Sequence, residues 1–234
     1  GLSQLVSVIS SAAPEWEVTT EDGVVHRLWG VPADHADGFQ AAFAEMPTLY
    51  IADGHHRSAA ASRVHASRGS EESAYFLAGL YPSDALQVMA YNRVVHDLNG
   101  RSPEAFLDAI SASWDVTADT TDTPSERGDV RMYLQGQWFG LRIKPGRLAD
   151  DVVAQLDCSA LQDHLLAPIL GVQDPRRSTR IHFVGGVHGP ARLVRDVKAG
   201  AAVAFHMYPT GLDQLFDVAD AGRVMPPKST WFEP

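Results

Sequence analysis

The run Asp53-Gly54-His55-His56-Arg57 places a carboxylate, a glycine, two imidazoles and a guanidinium side by side. At the start of a helix, such a run can hold an anion. The first backbone N–H groups of a helix lack intrahelical acceptors, and the helix dipole adds partial positive charge there. Gly54 lets the chain turn tightly and lets a phosphate approach where a Cβ would obstruct it. Arg57 can grip two phosphate oxygens with parallel N–H bonds. His55 and His56 add donors, and an imidazole can move a proton near neutral pH. Asp53 can hold Mg²⁺ or accept the proton of an attacking hydroxyl. The candidate catalytic residues are therefore Asp53, His55 and His56. The candidate phosphate- or nucleotide-binding residues are Gly54, His55, His56 and Arg57, and Asp53 is the candidate ligand for Mg²⁺. The residues alone leave a second reading open, an ordinary strand-to-helix turn with Asp53 as a cap and exposed histidines. Adjacent histidines point to different faces of a regular element, so a zinc site is discounted.

A second group of candidates lies at the other end of the chain. Lys228-Ser229-Thr230 offers an ammonium and two hydroxyls, which suits a phosphate or a carboxylate. The alternative there is a solvated basic turn pinned by Trp231 and Phe232. His26 and His96 read as structural strand histidines. His182, His188 and His206 are scattered, and His164 falls on a helix. Cys158 precedes Ser159, a helix cap, and reads as a buried thiol. Gly185-Gly186 can form a close-approach loop, but it lacks the spacing of a dinucleotide fingerprint.

These groups need elements to position them. The apolar run Thr48–Ala52 reads as a short strand, and the alanines of Ser58–Ser67 read as a helix, so the Asp53–Arg57 turn falls where a strand stops and a helix starts. Upstream, Leu2–Ala13 has helical periodicity and ends at Pro14, Glu21-Asp22-Gly23 signals a turn, and Val24–Val31 reads as a strand. Asp34–Glu45 reads as a helix capped by Asp34. Downstream, strands are expected over Ala74–Leu80 and Gln87–His96. A helix over Pro103–Ser113 has Pro103 in its first turn. Asp119–Gly128 reads as a polar loop, and Val130–Leu134 and Trp138–Ile143 form a hairpin around Gln135-Gly136-Gln137. Helices over Ser159–Ile169, Pro190–Lys198 and Leu212–Ala221 alternate with buried strands at Ile181–Val184 and Ala202–Met207. The expectation is an α+β fold: a mixed sheet with flanking helices over residues 1–97, then a second α/β lobe over residues 98–234 that ends in the tail.

Composition bounds the reading. The chain has 234 residues, 45% of them hydrophobic and 21% charged, enough to bury a core without disulfide or metal staples. The formal net charge of -10 repels a phosphate backbone, so nucleic acid is not an expected partner. The one cysteine excludes an internal disulfide framework, and with no apolar run of membrane-spanning length and no secretion signal the expected location is the cytoplasm, with no membrane partner.

The segments Tyr50–Arg57, Asp22–Trp29 and Ala219–Phe232 together resemble the bacterial and archaeal family known as domain of unknown function 1015. The resemblance spans nearly all of the chain. Members of that family are usually longer at the N-terminus, so this chain is expected to be a truncated member. More distantly, the turn is similar to that of the ParB/sulfiredoxin superfamily, which holds nucleotide phosphates at a helix start. Sulfiredoxins carry a cysteine after the glycine, where this chain has His55. ParB proteins use an arginine-rich version and a DNA-binding helical domain, and this acidic chain has neither. The free-serine kinase branch reads Asp-Gly-His-x-Arg, matched by Asp53, Gly54, His55 and Arg57. In that branch a glutamate elsewhere activates the serine hydroxyl, and no equivalent is placed in this sequence. The resemblance implies a nucleotide-dependent phosphotransferase acting on a small hydroxyl metabolite, with ATP or ADP and Mg²⁺ as cofactors. A phosphatase or nucleotide hydrolase, and a non-catalytic nucleotide-sensing module, are the alternatives. The expected partner is a small phosphate or nucleotide ligand, and a homodimer is left open.

Overall fold

The computed structural model describes residues 1–233, with His56 described by its backbone alone. The chain divides into two compact units, Gly1–His55 and His56–Pro234. Helices, two small sheets and a six-stranded sheet make an α+β architecture, as expected from the sequence.

The first unit holds helix α1 (Leu2–Ser10), strands β1 (Trp16–Thr19) and β2 (Val25–Leu28), and helix α2 (Ala33–Ala44). β1 and β2 pair antiparallel across the expected Glu21-Asp22-Gly23 turn, where the Asp22 carboxylate accepts from the Thr20 hydroxyl and the Val24 amide. α2 begins one residue before Asp34, which therefore sits in its first turn while Pro32 takes the cap position. The expected strand at residues 48–52 is irregular, and Leu49 and Ile51 are exposed. A strand needs a neighbour to complete its backbone hydrogen bonds, and among the described residues these have no ladder partner.

The second unit holds the main core. After helix α3 (His55–Arg68), which starts at the unit boundary, come β3 (Gln87–Met89), β4 (Tyr91–Val95), α4 (Pro103–Ser111) and β5 (Trp114–Ala118). They are followed by β6 (Asp129–Leu134), β7 (Gln137–Ile143), α5 (Asp157–Leu161), β8 (Ile181–Gly185), α6 (Gly189–Lys198), β9 (Val203–His206), α7 (Leu212–Asp220) and β10 (Trp231–Glu233). The strand expected at Ala74–Leu80 is instead a short 3₁₀ turn over Glu72–Ala74 followed by irregular chain, again unpaired among the described residues. The strand expected over Gln87–His96 splits at Ala90 into β3 and β4. The hairpin of β6 and β7 forms as expected, with Gln135 and Gly136 both at positive φ, as a two-residue hairpin turn requires. Helix α4 is capped by the Ser102 hydroxyl, which accepts from the Ala105 amide at 3.2 Å, with Pro103 in the first turn.

The large sheet has the order β5-β7-β6-β9-β4-β8, antiparallel at every step. Strand alternation sends Val203 and Phe205 of β9 to one face and Ala204 to the other. The first face packs on Phe106, Ile110, Leu161 and Leu165, and the second on Tyr133 and Leu193. All four residues of β9 are buried, the mark of a strand covered on both faces. Phe205, fully enclosed, is the test of that packing. Phe205→Ala should lower the unfolding free energy by about 3–5 kcal/mol, read as a shift in the urea midpoint with an unchanged slope.

Candidate functional site

Gly54 has φ of 86°, in the left-handed region where a side chain is strained. Helix α3 starts at the next residue and runs for 14 residues. Its first turn contains no acidic side chain, so nothing within that turn offsets the partial positive charge of the helix start. Asp53 and His55 are exposed on the first unit, and Arg57 is exposed on the second. The side chain of His56, expected to bind phosphate and to act in catalysis, lies outside the described residues. For Mg²⁺, Asp53 offers a single carboxylate; Mg²⁺ commonly uses one or two carboxylates together with phosphate oxygens and waters.

The C-terminal tail is not a free end. β10 pairs antiparallel with β3, register Trp231 to Met89. Alternation along β4 puts Tyr91, Arg93 and Val95 on one face, and the tail lies against the first two. The Lys228 ammonium donates to the Tyr91 hydroxyl at 3.1 Å and sits 5.1 Å from the centre of that ring. The Arg93 guanidinium donates to the Lys228 carbonyl at 3.0 Å, and the Thr210 hydroxyl donates to the Ser229 carbonyl at 3.1 Å. Ser229 is buried and Thr230 half-buried. Trp231 packs its ring on Gly185, where an added Cβ would lie 2.8 Å from the indole. At Gly186 a Cβ would meet the backbone N and O of Ala90 at 2.9 Å each, so this glycine serves a close approach of protein backbone. Tyr91 and Arg93, which sequence reasoning treated only as strand residues, are the side chains that engage Lys228. The signal in the sequence is an unbroken polar run, Tyr91-Asn92-Arg93, ahead of Val94 and Val95, which does not single out either residue.

Three of the remaining candidates, Cys158, His96 and His182, have neighbours of their own, while His26 and His188 are exposed. Cys158 is buried, and desolvation pushes its thiol above the usual range, with Arg93 opposing. The ring nitrogens of His96 and His182 lie 3.2 Å apart, and His182 is also 3.1 Å from the Asp196 carboxylate. Burial alone would raise Asp196, but its bonds to His182 and Arg192 hold it below the usual carboxylate value. This is a structural network along the β4–β8 edge.

A family model described as "Protein of unknown function (DUF1015)" matches residues 1–159, and the chain belongs to that family. The matched span contains the Asp53–Arg57 turn and Arg93; the Ala219–Phe232 ending lies beyond it. No curated protein matches the chain. Among solved structures, a mutant free serine kinase in complex with ADP is similar at 16% identity, covering 87% of this chain and 82% of that one, with a TM-score of 0.46. A free serine kinase in complex with AMP is similar at 14% identity over 87% and 81% of the two chains, TM-score 0.46. A conserved hypothetical protein from Pyrococcus furiosus is similar at 14% identity over 78% and 69%, TM-score 0.43.

His206 gives a pH test of this interior. It is buried, its Nδ1 lies 2.7 Å from the Asp122 carbonyl, and desolvation holds its pKa below 6.5, with the Asp122 bond opposing. The unfolded chain therefore takes the proton first. Stability from this group is complete above about pH 6.5 and is lost as pH falls toward the folded pKa, at no more than about 1.4 kcal/mol per pH unit. Urea unfolding across that window should show the decline, and His206→Gln should flatten it.

Proposed function

We propose that this member of the family is a nucleotide-dependent phosphotransferase that acts on a small hydroxyl metabolite and holds the phosphate at the Asp53–Arg57 turn. One observation carries the reading: Gly54, at φ of 86°, opens directly into a 14-residue helix whose first turn has basic side chains and no carboxylate. Such a helix start attracts an anion, and a glycine in the left-handed region leaves the approach clear of a Cβ.

In this reading the backbone N–H groups after Gly54 and the guanidinium of Arg57 hold the phosphate oxygens and offset the charge that develops on the transferred group. His55 and His56 add hydrogen bonds to the same oxygens. The acceptor hydroxyl oxygen bonds to phosphorus, the bond from phosphorus to the nucleotide leaving oxygen breaks, and the hydroxyl proton passes to Asp53 or to a neighbouring imidazole. Mg²⁺, where bound, would be held by Asp53 and would neutralise phosphate charge. The ParB/sulfiredoxin-like part we propose, residues 1–97, carries the turn and contributes β4 to the six-stranded sheet that residues 98–234 complete. Lys228, Ser229 and Thr230 would serve as a further phosphate-facing group. The exposure of Asp53 and His55 favours a second reading, in which water replaces the hydroxyl and the protein hydrolyses a phosphate ester.

The test uses the chain with ATP or ADP, Mg²⁺ and a panel of hydroxyl metabolites, with phosphorus followed by NMR. Transfer should yield a new phosphate ester, and hydrolysis only inorganic phosphate. Arg57→Ala should weaken nucleotide binding about tenfold to a hundredfold, the value of a lost hydrogen bond to a charged group. Asp53→Asn should slow turnover by about a hundredfold or more while binding persists. No transfer and no hydrolysis, together with unchanged nucleotide binding in Arg57→Ala, would overturn both readings.

A further inference from the structure

Arg93 is an unusual residue for the middle of a sheet. It lies on β4, a strand paired on both sides, and is only 4% exposed. Among the described residues it forms no ion pair. Its guanidinium donates to two main-chain carbonyls, those of Tyr91 and Lys228, and sits 5.6 Å from the centre of the Phe183 ring. Carbonyls and a ring face solvate a cation but do not neutralise it. A buried guanidinium stays protonated, and a buried charge without a counter-charge is costly. The neighbouring groups include the Cys158 thiol, which burial keeps protonated.

This cation borders a cavity of about 280 Å³. Cys158, Ser159, Gln162, Asp163 and Phe183 also line it. Gln162 anchors its amide nitrogen on the Val172 carbonyl at 2.8 Å, which leaves its Oε1 buried with no donor among the described residues. At Gln162 the helix continued from α5 loosens into a π-type turn over Gln162–Leu166, with the Ala167 amide reaching back five residues to the Gln162 carbonyl. Such a turn has a less favourable hydrogen-bond pattern than the α-helix and is found disproportionately at functional sites. The larger cavity of the same unit, about 360 Å³, differs in this respect: Arg127 there is paired with Asp213, and Asp157 accepts from the Gly128 amide.

We infer that the cavity beside Arg93 is a binding site for a small metabolite bearing an oxyanion, carboxylate or phosphate, whose negative charge supplies the counter-ion that Arg93 lacks and whose hydroxyl or amino group donates to Gln162. The inference does not depend on the Asp53–Arg57 turn, since every group it uses lies in the second unit. Asp163, exposed at the lining, disfavours an anion, so the site is tuned for moderate affinity and responds to charge removal at that position.

The test is a titration of the isotope-labelled chain with sodium acetate and, separately, inorganic phosphate at constant ionic strength, followed by NMR on the Arg93 Nε–H and Gln162 amide signals. Saturable shifts of both signals with either anion support the site, and the anion that produces them identifies the headgroup. Arg93→Gln should abolish the response of the Gln162 amide signal. Because a core substitution can unfold the chain, Asp163→Asn, at an exposed position, is the second variant, and it should tighten binding about two- to fivefold. Arg57→Ala should leave this binding unchanged, which separates the site from the proposed transferase turn. Absence of saturable shifts with both anions, or an affinity indifferent to Asp163→Asn, would overturn the inference.

Discussion

Strand β9 must satisfy every backbone N–H and C=O while both of its faces are closed to water. It does so by pairing with β6 on one side and β4 on the other, and the rest of the second unit follows from that requirement. With β9 fixed, the alternation of side chains assigns Val203 and Phe205 to the α4 side and Ala204 to the α6 side. The same alternation, carried across to β4, decides that Val94 packs under α6 while Arg93 and Val95 face α5. The placement of a charged residue in the interior is thus a consequence of register. Moving β4 by one residue would send Arg93 to the opposite face and put Asn92 or Val94 in its place.

Local signals in the chain are legible where the structure is itself local. The Ser102-Pro103 start of α4 and the Gln135-Gly136 hairpin turn depend on residues adjacent in sequence, and both form where expected. The start of α3 just after Gly54 belongs to the same class. Strands are less legible, because a ladder is made by residues far apart. Thr48–Ala52 and Ala74–Leu80 have strand-like composition but no ladder among the described residues, whereas Trp114–Ala118, for which no strand is expected from the sequence, pairs along its whole length with β7. The same limit hid Arg93. Nothing near it in sequence announces that Lys228, Phe183 and Cys158 will surround it; only the folded sheet and the returning tail bring them together.

The first unit presents the opposite physical situation. None of residues 1–55 is buried, and its elements are a hairpin and two helices tied by hydrogen bonds such as those of the Trp29 indole to the Ala12 carbonyl and the Gly30 amide to the Glu15 carboxylate. Its order comes from turns and hydrogen bonds more than from a core. Residues with chemical potential therefore fall in two settings: an open turn at a helix start, where access is easy and screening is strong, and a closed interior, where access is limited and each charge acts with greater force.

Ala90 is the single residue between β3, which pairs with the tail, and β4, which carries Arg93. Gly186 presses its backbone against that residue, leaving little slack at the joint. The two ladders therefore share one continuous backbone, so the register of the tail against β3 and that of β4 in the large sheet are set together across a single residue.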